Sequence, residues 1–232
     1  MFVVIEGIDG SGKGTVTEKL KSQLVEKGKS VDTVSFPGYG RTLYGDLVGK
    51  YLNGDFGKET HPLLHGTLFS IDRYESKDFL NAAIAYNEVV IADRYVPSNL
   101  CYSALKCKTE KEVNDVCSHF VKLEYDLFGL PVPDAIIFLD MPVKFAVQNI
   151  AKKAARSYTG LSADIHEADE DYLSQVRSFY CSKLRVFHPA TRFKTVGCVR
   201  NGHMLPIASV VNEVENVLTQ LQKDMSNGTP EA

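Results

Sequence analysis

No run of about 18 consecutive apolar residues occurs in this sequence, so no segment is expected to span a membrane. No basic stretch followed by a long apolar one stands at its start, which argues against a secretory leader. An excess of one charge is missing too. The formal net charge is −3 and the pI about 6.1, a balance that argues against a nucleic-acid partner while leaving room for a local basic pocket. Cysteines number five, an odd count, and no two of them form C-x-x-C. That excludes a zinc ribbon and disfavours a disulfide framework. Cys101, Cys107, Cys117, Cys181 and Cys198 are read as reduced thiols, which points to a cytoplasmic protein. No histidine is assigned as a general base, and His166 alone falls in a suspected site.

What is present suits one large α/β domain. Of 232 residues, 44% are hydrophobic and 24% charged, enough apolar mass to offset chain entropy. No linker divides residues 1–232, and no repeat of useful length is found. Short apolar runs at 1–5, 31–36, 88–92, 135–139 and 193–199 read as strands, the first of them buried on both faces. Helical spacing follows the first run, with Val16, Leu20 and Leu24 in phase and Gly28 as the stop. Further helical patterns fill 42–52, 63–86, 110–128, 143–156, 170–187 and 207–221. Residues 157–168 are polar and 225–232 read as a frayed tail. The predicted fold is a five-stranded, mainly parallel sheet with helices on both faces.

Between the first strand and the first helix lies Gly7-Ile8-Asp9-Gly10-Ser11-Gly12-Lys13-Gly14-Thr15. Glycines let this backbone turn tightly, so that Gly7, Gly10, Ser11, Gly12, Gly14 and Thr15 can aim N–H groups at phosphate oxygens. The helix terminus adds partial positive charge and Lys13 a full one. ATP or GTP is the expected ligand. Gly14 occupies the place where a Mg²⁺-binding hydroxyl is usual, and Thr15 comes one step later. The base-reading N-K-x-D of GTPases is absent. Acceptor groups are expected at the carboxyl ends of the strands, where open α/β sheets bind ligands. The residues there are Phe36-Pro37, Asp93-Arg94-Tyr95 and Asp140-Met141-Pro142.

These pieces, taken in order, are similar to the thymidylate kinase family of P-loop nucleoside monophosphate kinases. They are the phosphate loop, F-P-G-Y-G-R from Phe36, L-F-S-I-D-R-Y-E from Leu68 and I-A-D-R-Y-V-P-S-N-L-C-Y-S from Ile91. G-L-P-V-P-D-A-I-I-F-L-D from Gly129 and D-I-H-E from Asp164 complete the series. The resemblance implies a P-loop NTPase-type fold, ATP as co-substrate, Mg²⁺, and transfer of the γ-phosphoryl group to dTMP. On this reading Asp9 contacts the acceptor sugar, and Arg41 pairs with its phosphate. Phe69 stacks on the thymine ring and Arg73 donates to a base carbonyl, with Ser98, Asn99 and Tyr102 sharing in discrimination. Asp93 holds Mg²⁺ through water, with Thr15 a second candidate, and Arg94 bridges acceptor phosphate and transferring group. Because Gly10 and Ser11 carry no charge, a basic residue from a lid at about 152–168 is implied, Arg156 first and Lys153 second. A homodimer is implied as well, and Leu64, Leu68 and Ile71 could serve an interface or the core. Two rivals stay open: another nucleoside or nucleoside-monophosphate kinase, and a nucleotide-binding regulator without catalysis.

Overall fold

Five short strands line up in one direction, in the order β2-β3-β1-β4-β5. They are β1 (Phe2–Glu6), β2 (Val31–Ser35), β3 (Val89–Asp93), β4 (Ala135–Asp140) and β5 (Arg192–Gly197). The computed structural model describes residues 1–57, 61–154, 169–188 and 190–226, side chains of 153–154 excepted. The three inner strands are buried on both faces, which is why they read as unbroken Val/Ile runs. Edge strand β2 is less evenly covered, with Val31 and Val34 buried, Asp32 and Thr33 half-buried and Ser35 exposed.

Helix α1 (Lys13–Glu26) buries Val16, Leu20 and Leu24 against the sheet. It stops where Gly28 takes φ 82° and the Lys29 N–H returns to the Leu24 carbonyl. The last helix, α10 (Ile207–Ser226), covers α1 with Val210, Val211, Val214, Leu218 and Leu221. Each such side chain contributes roughly 1.5–3 kcal/mol. The helix runs past the expected 221 and takes in the first two residues of the supposed tail, Met225 and Ser226.

Other boundaries also moved. The helix expected over 63–86 is two, α3 (Pro62–Glu75) and α4 (Lys77–Tyr86), divided at Ser76, whose hydroxyl turns back to the Asp72 carbonyl. A helix not foreseen, α5 (Val96–Ala104), follows β3 with Pro97 in its first turn, where a missing N–H costs nothing. The pattern at 110–128 becomes α6 (Glu110–Val121) running into a wide π-helical turn, Lys122–Leu127. Helix α7 (Val143–Ala154) precedes the presumed lid, and α8 (Glu170–Ser182) and the short α9 (Leu184–Phe187) follow it. After β5, the pair Val199–Arg200 and His203–Met204 forms a hairpin around Asn201-Gly202, both with positive φ. Remaining helix α2 (Leu43–Leu52) is capped by Thr42. Among the described residues, no helix is long and apolar enough to cross a membrane. All five cysteines are unpaired.

Candidate active site

Register brings the carboxyl ends of the central strands level, Ile5 beside Asp93 and Asp93 beside Ser35. Above them opens a cavity of about 960 Å³, large for one small ligand. Its floor is the phosphate loop. Gly10 has φ 77°, and a Cβ there would lie 2.2 Å from the carbonyl oxygen of Ala146 on α7. Glycine is thus required twice over, by conformation and by contact. Asn149, one turn further along α7, donates to the Gly10 carbonyl at 2.9 Å. Gly12, at φ 88°, caps α1 with no side chain in the way, so the first amides of the helix stay open to an anion.

Lys13 is buried, its Nζ donating to the Gly7 and Ile8 carbonyls at 2.9 and 3.0 Å. Burial, with Arg94 nearby, pushes its pKa down to about 8. The buried Ser11 hydroxyl has no hydrogen-bond partner among the described residues. Thr15 is exposed on the first turn of α1. A Cβ on Gly14 would stand 3.3 Å from Asp93 Oδ2, so the Asp93 carboxylate faces the loop mouth. Asp93 and Thr15 therefore fit a Mg²⁺ carried in on nucleotide phosphates, a metal that normally keeps several waters. No group of three metal-binding side chains exists among the described residues. His61 and His65 stand four apart, but His61 caps α3 and His65 lies buried beside Ser103.

Arg94 has φ 66°, a left-handed conformation rare for a residue with a Cβ and worth roughly 1–3 kcal/mol of strain. Its flanks hold it there. Its own N–H donates to the Ile5 carbonyl, and the N–H groups of Tyr95 and Ser98 donate to Glu6 Oε1 at 3.0 and 3.1 Å. Glu6 also accepts from the hydroxyls of Ser98 and Tyr180, at 2.7 and 2.8 Å. It is the sole acidic residue of β1 and caps α5 from a distance, and burial pushes its carboxyl above the usual range. So positioned, the Arg94 guanidinium pairs with Asp9 and donates to Ser98 Oγ at 3.1 Å. Tyr102 donates to the other Asp9 oxygen at 3.0 Å. Burial alone would raise Asp9, but Arg94, Lys13 and Tyr102 outweigh it and hold the carboxyl below its ordinary value.

Phe69 lies at the far end of the cavity, 4.7 Å from the His65 ring and 6.4 Å from that of Tyr51. One turn on, Arg73 is fully buried and doubly bonded to Glu124. Asn99 completes this wall. On the opposite side the hairpin and α10 contribute Leu205, Ile207 and Val210, and α7 contributes Ile150 and Lys152.

Of the residues expected in the site, the phosphate loop from Asp9 to Thr15, Phe69, Arg73, Asp93, Arg94, Ser98, Asn99 and Tyr102 all line this one cavity; Gly7 does not, its carbonyl lying beneath and accepting from Lys13 Nζ. Arg41 does not. Thr42 is anchored to Asp72, and this turns Arg41 outward, to the Ser35 carbonyl at 3.0 Å and across the Phe36 and Phe79 rings. Tyr39 lines the cavity in its place. The side chain of Lys153, Arg156 and the D-I-H-E segment lie outside the described residues. Leu68 is buried, whereas Leu64 is half exposed. Sequence reasoning missed Glu6, whose signal was a carboxylate inside a buried apolar run. It also missed Glu124, which nothing distinguishes from a solvated helical glutamate.

A phosphate loop at the carboxyl edge of a 2-3-1-4-5 parallel sheet, open to a second, aromatic-walled compartment, defines a P-loop phosphotransferase. The thymidylate kinase family model matches residues 5–196. The thymidylate kinase of Mycobacterium tuberculosis is 32% identical over 181 residues, covering 78% of this chain and 84% of its own. The human thymidylate kinase is 27% identical over 223 residues, or 96% and 90% of the two chains. The solved thymidylate kinase of Candida albicans shares the fold, with TM-score 0.69 at 20% identity over 95% of this chain and 92% of that one. This chain belongs to the thymidylate kinase family.

Proposed function

We propose that the enzyme transfers the γ-phosphoryl group of ATP to dTMP, giving dTDP, with Mg²⁺ present. The observation that carries this reading is the placement of Arg94. It lies between the phosphate loop and the compartment of Phe69 and Arg73, tied to Asp9 and Tyr102. Transfer to a phosphate needs no strong base, because an acceptor phosphate oxygen is already a nucleophile. The protein's work is positioning and charge neutralisation.

Lys13 and the loop amides take the donor phosphates, which draws Lys13 Nζ off its own loop carbonyls. Arg94 spans acceptor phosphate and transferring group. Phe69 stacks on the base and Arg73 donates to its carbonyl. Mg²⁺, bound with the nucleotide, supplies positive charge to the phosphates; Asp93 would hold it through water, with Thr15 close by. Gly10 leaves no room for a loop cation, so Lys152 and the adjoining lid residues Lys153 and Arg156 supply one. With Arg41 turned outward, the acceptor phosphate relies on Arg94. One domain with this lid, acting as a homodimer in the cytoplasm, completes the reading; the half-exposed Leu64 and the free thiols support its last two parts.

The test is an ADP-release assay across nucleosides and nucleoside monophosphates. Turnover on dTMP well above the rest is expected. Turnover on a nucleoside, or on none of the panel, would sink the reading.

A further inference from the structure

Behind the inner wall of the cavity lies a buried polar cluster that the transfer chemistry does not use. Glu124 is fully buried, on the π-helical turn, and does not itself line the cavity. Its carboxylate accepts from Arg73 Nε (2.5 Å) and Nη2 (2.7 Å), from Ser70 Oγ (2.9 Å) and from Asn99 Nδ2 (2.7 Å). Close packing makes this reach possible. Gly66 on α3 lies so near Phe120 of α6 that a Cβ would stand 2.1 Å from the ring.

A carboxylate paired with a guanidinium only accepts, so every group that meets it must donate. Two orientations follow. Arg73 is held in one plane by two parallel bonds, leaving Nη1, without a partner among the described residues, as its outward donor. Asn99 turns its amide nitrogen toward Glu124 and the Gly66 carbonyl, and its Oδ1 toward Ser103, whose hydroxyl donates at 3.3 Å. His65 Nδ1, 3.1 Å from that hydroxyl, braces it from the other side.

We propose that Glu124 is a specificity-determining positioning residue. By clamping Arg73, it makes the inner wall a hydrogen-bond donor, selecting a pyrimidine with a carbonyl at C4 over one with an amino group. This rests on the reading of dTMP as acceptor. A guanidinium has no acceptor, so the 4-amino group of dCMP would meet donor with donor. Glutamine at 124 has one oxygen for four donors. Whichever way its amide lies, the nitrogen faces an Arg73 donor, so one of the two clamping bonds must break.

Steady-state transfer from saturating ATP to dTMP and to dCMP tests the proposal on the full chain. Glu124→Gln should raise KM for dTMP by about 10- to 100-fold and leave kcat within about 3-fold. KM for ATP should hold, and the dTMP-over-dCMP ratio of kcat/KM should fall at least about 10-fold. A core pair with no role in recognition would lower the melting temperature and leave that ratio untouched, and such a result overturns the proposal. If Glu124→Gln does not fold, Glu124→Asp carries the test, keeping the charge but shortening its reach. A ratio lowered by about 3-fold or more supports the proposal, and the parental ratio overturns it. Activity of the parent separates the two readings. A parent inert on dTMP removes the functional reading and this proposal with it; an active parent whose Glu124 variants match it removes the proposal alone.

Discussion

A lysine ammonium folded onto its own loop titrates differently once phosphate arrives. Lys13 in the free protein has its pKa lowered to about 8, against about 10.4 for an exposed lysine. Between those values the folded free protein holds fewer protons at this site than the unfolded chain, so its stability rises with pH there. Nucleotide phosphates favour the charged form and raise the pKa again. ATP binding at about pH 9 should therefore take up close to one proton, and at pH 7 almost none. Calorimetry in two buffers of different ionisation enthalpy measures this uptake, and Lys13→Ala should abolish it. The same substitution should lower kcat by about 100-fold or more, as loss of a preorganised charge does. Phe69→Ala should raise KM for dTMP far more than KM for ATP, the lost stacking costing about 1–3 kcal/mol. Equal effects on both, with a lower melting temperature, would mark Phe69 as a packing residue. At this scale the motifs placed Asp9, Phe69 and Asp93 around one cavity. Arg41 and Glu124 were not legible in the sequence, because anchoring of the neighbouring Thr42 decides one and a partner 51 positions away decides the other.

Elements were readable in proportion to how much of their pattern comes from burial. β1, β3 and β4 were found within a residue or so because both faces are covered and nearly every position must be apolar. α5 was missed because Pro97 and Asn99 look like loop punctuation, whereas in place the proline fills a first turn and Glu6 caps the helix. The junction of α3 with α6 gives an element-scale prediction. Gly66→Ala must displace the Phe120 ring, so urea unfolding should show a loss of about 1–3 kcal/mol. Unchanged stability would mean that the two helices can part freely. For the lid, Arg156→Ala should lower kcat strongly while changing dTMP affinity little. A helix-end dipole partner would instead cost under about 1 kcal/mol of stability and spare turnover.

Taken whole, the molecule is slightly acidic but its cavity is not. Among the described residues, Lys13, Arg73, Arg94, Lys106 and Lys152 line it against Asp9 and Asp93, in a chain of net charge −3. A low-dielectric cleft concentrates such a field and draws in anionic nucleotides. Raising ionic strength from ~0.05 to ~0.5 M should therefore lower kcat/KM for dTMP several-fold, because the screening length shrinks from more than 10 Å to a few Å. A salt-independent kcat/KM, measured alongside an unchanged melting curve, would show that the field plays no part in capture.

The contact between Gly10 and the Ala146 carbonyl also limits the routes by which this chain could change. A side chain at position 10 would meet α7 at 2.2 Å before it reached any phosphate, and it would do so from a backbone shape that favours glycine. A cationic residue could not be installed there by one substitution; α7 would first have to withdraw, and Asn149 would lose its bond to the loop. Such an intermediate would lose loop support before gaining charge, a valley that selection for activity would not cross in single steps. On the proposed mechanism, the source of the catalytic cation is thus locked in by packing, and its ancestry should be legible in whichever residue faces position 10.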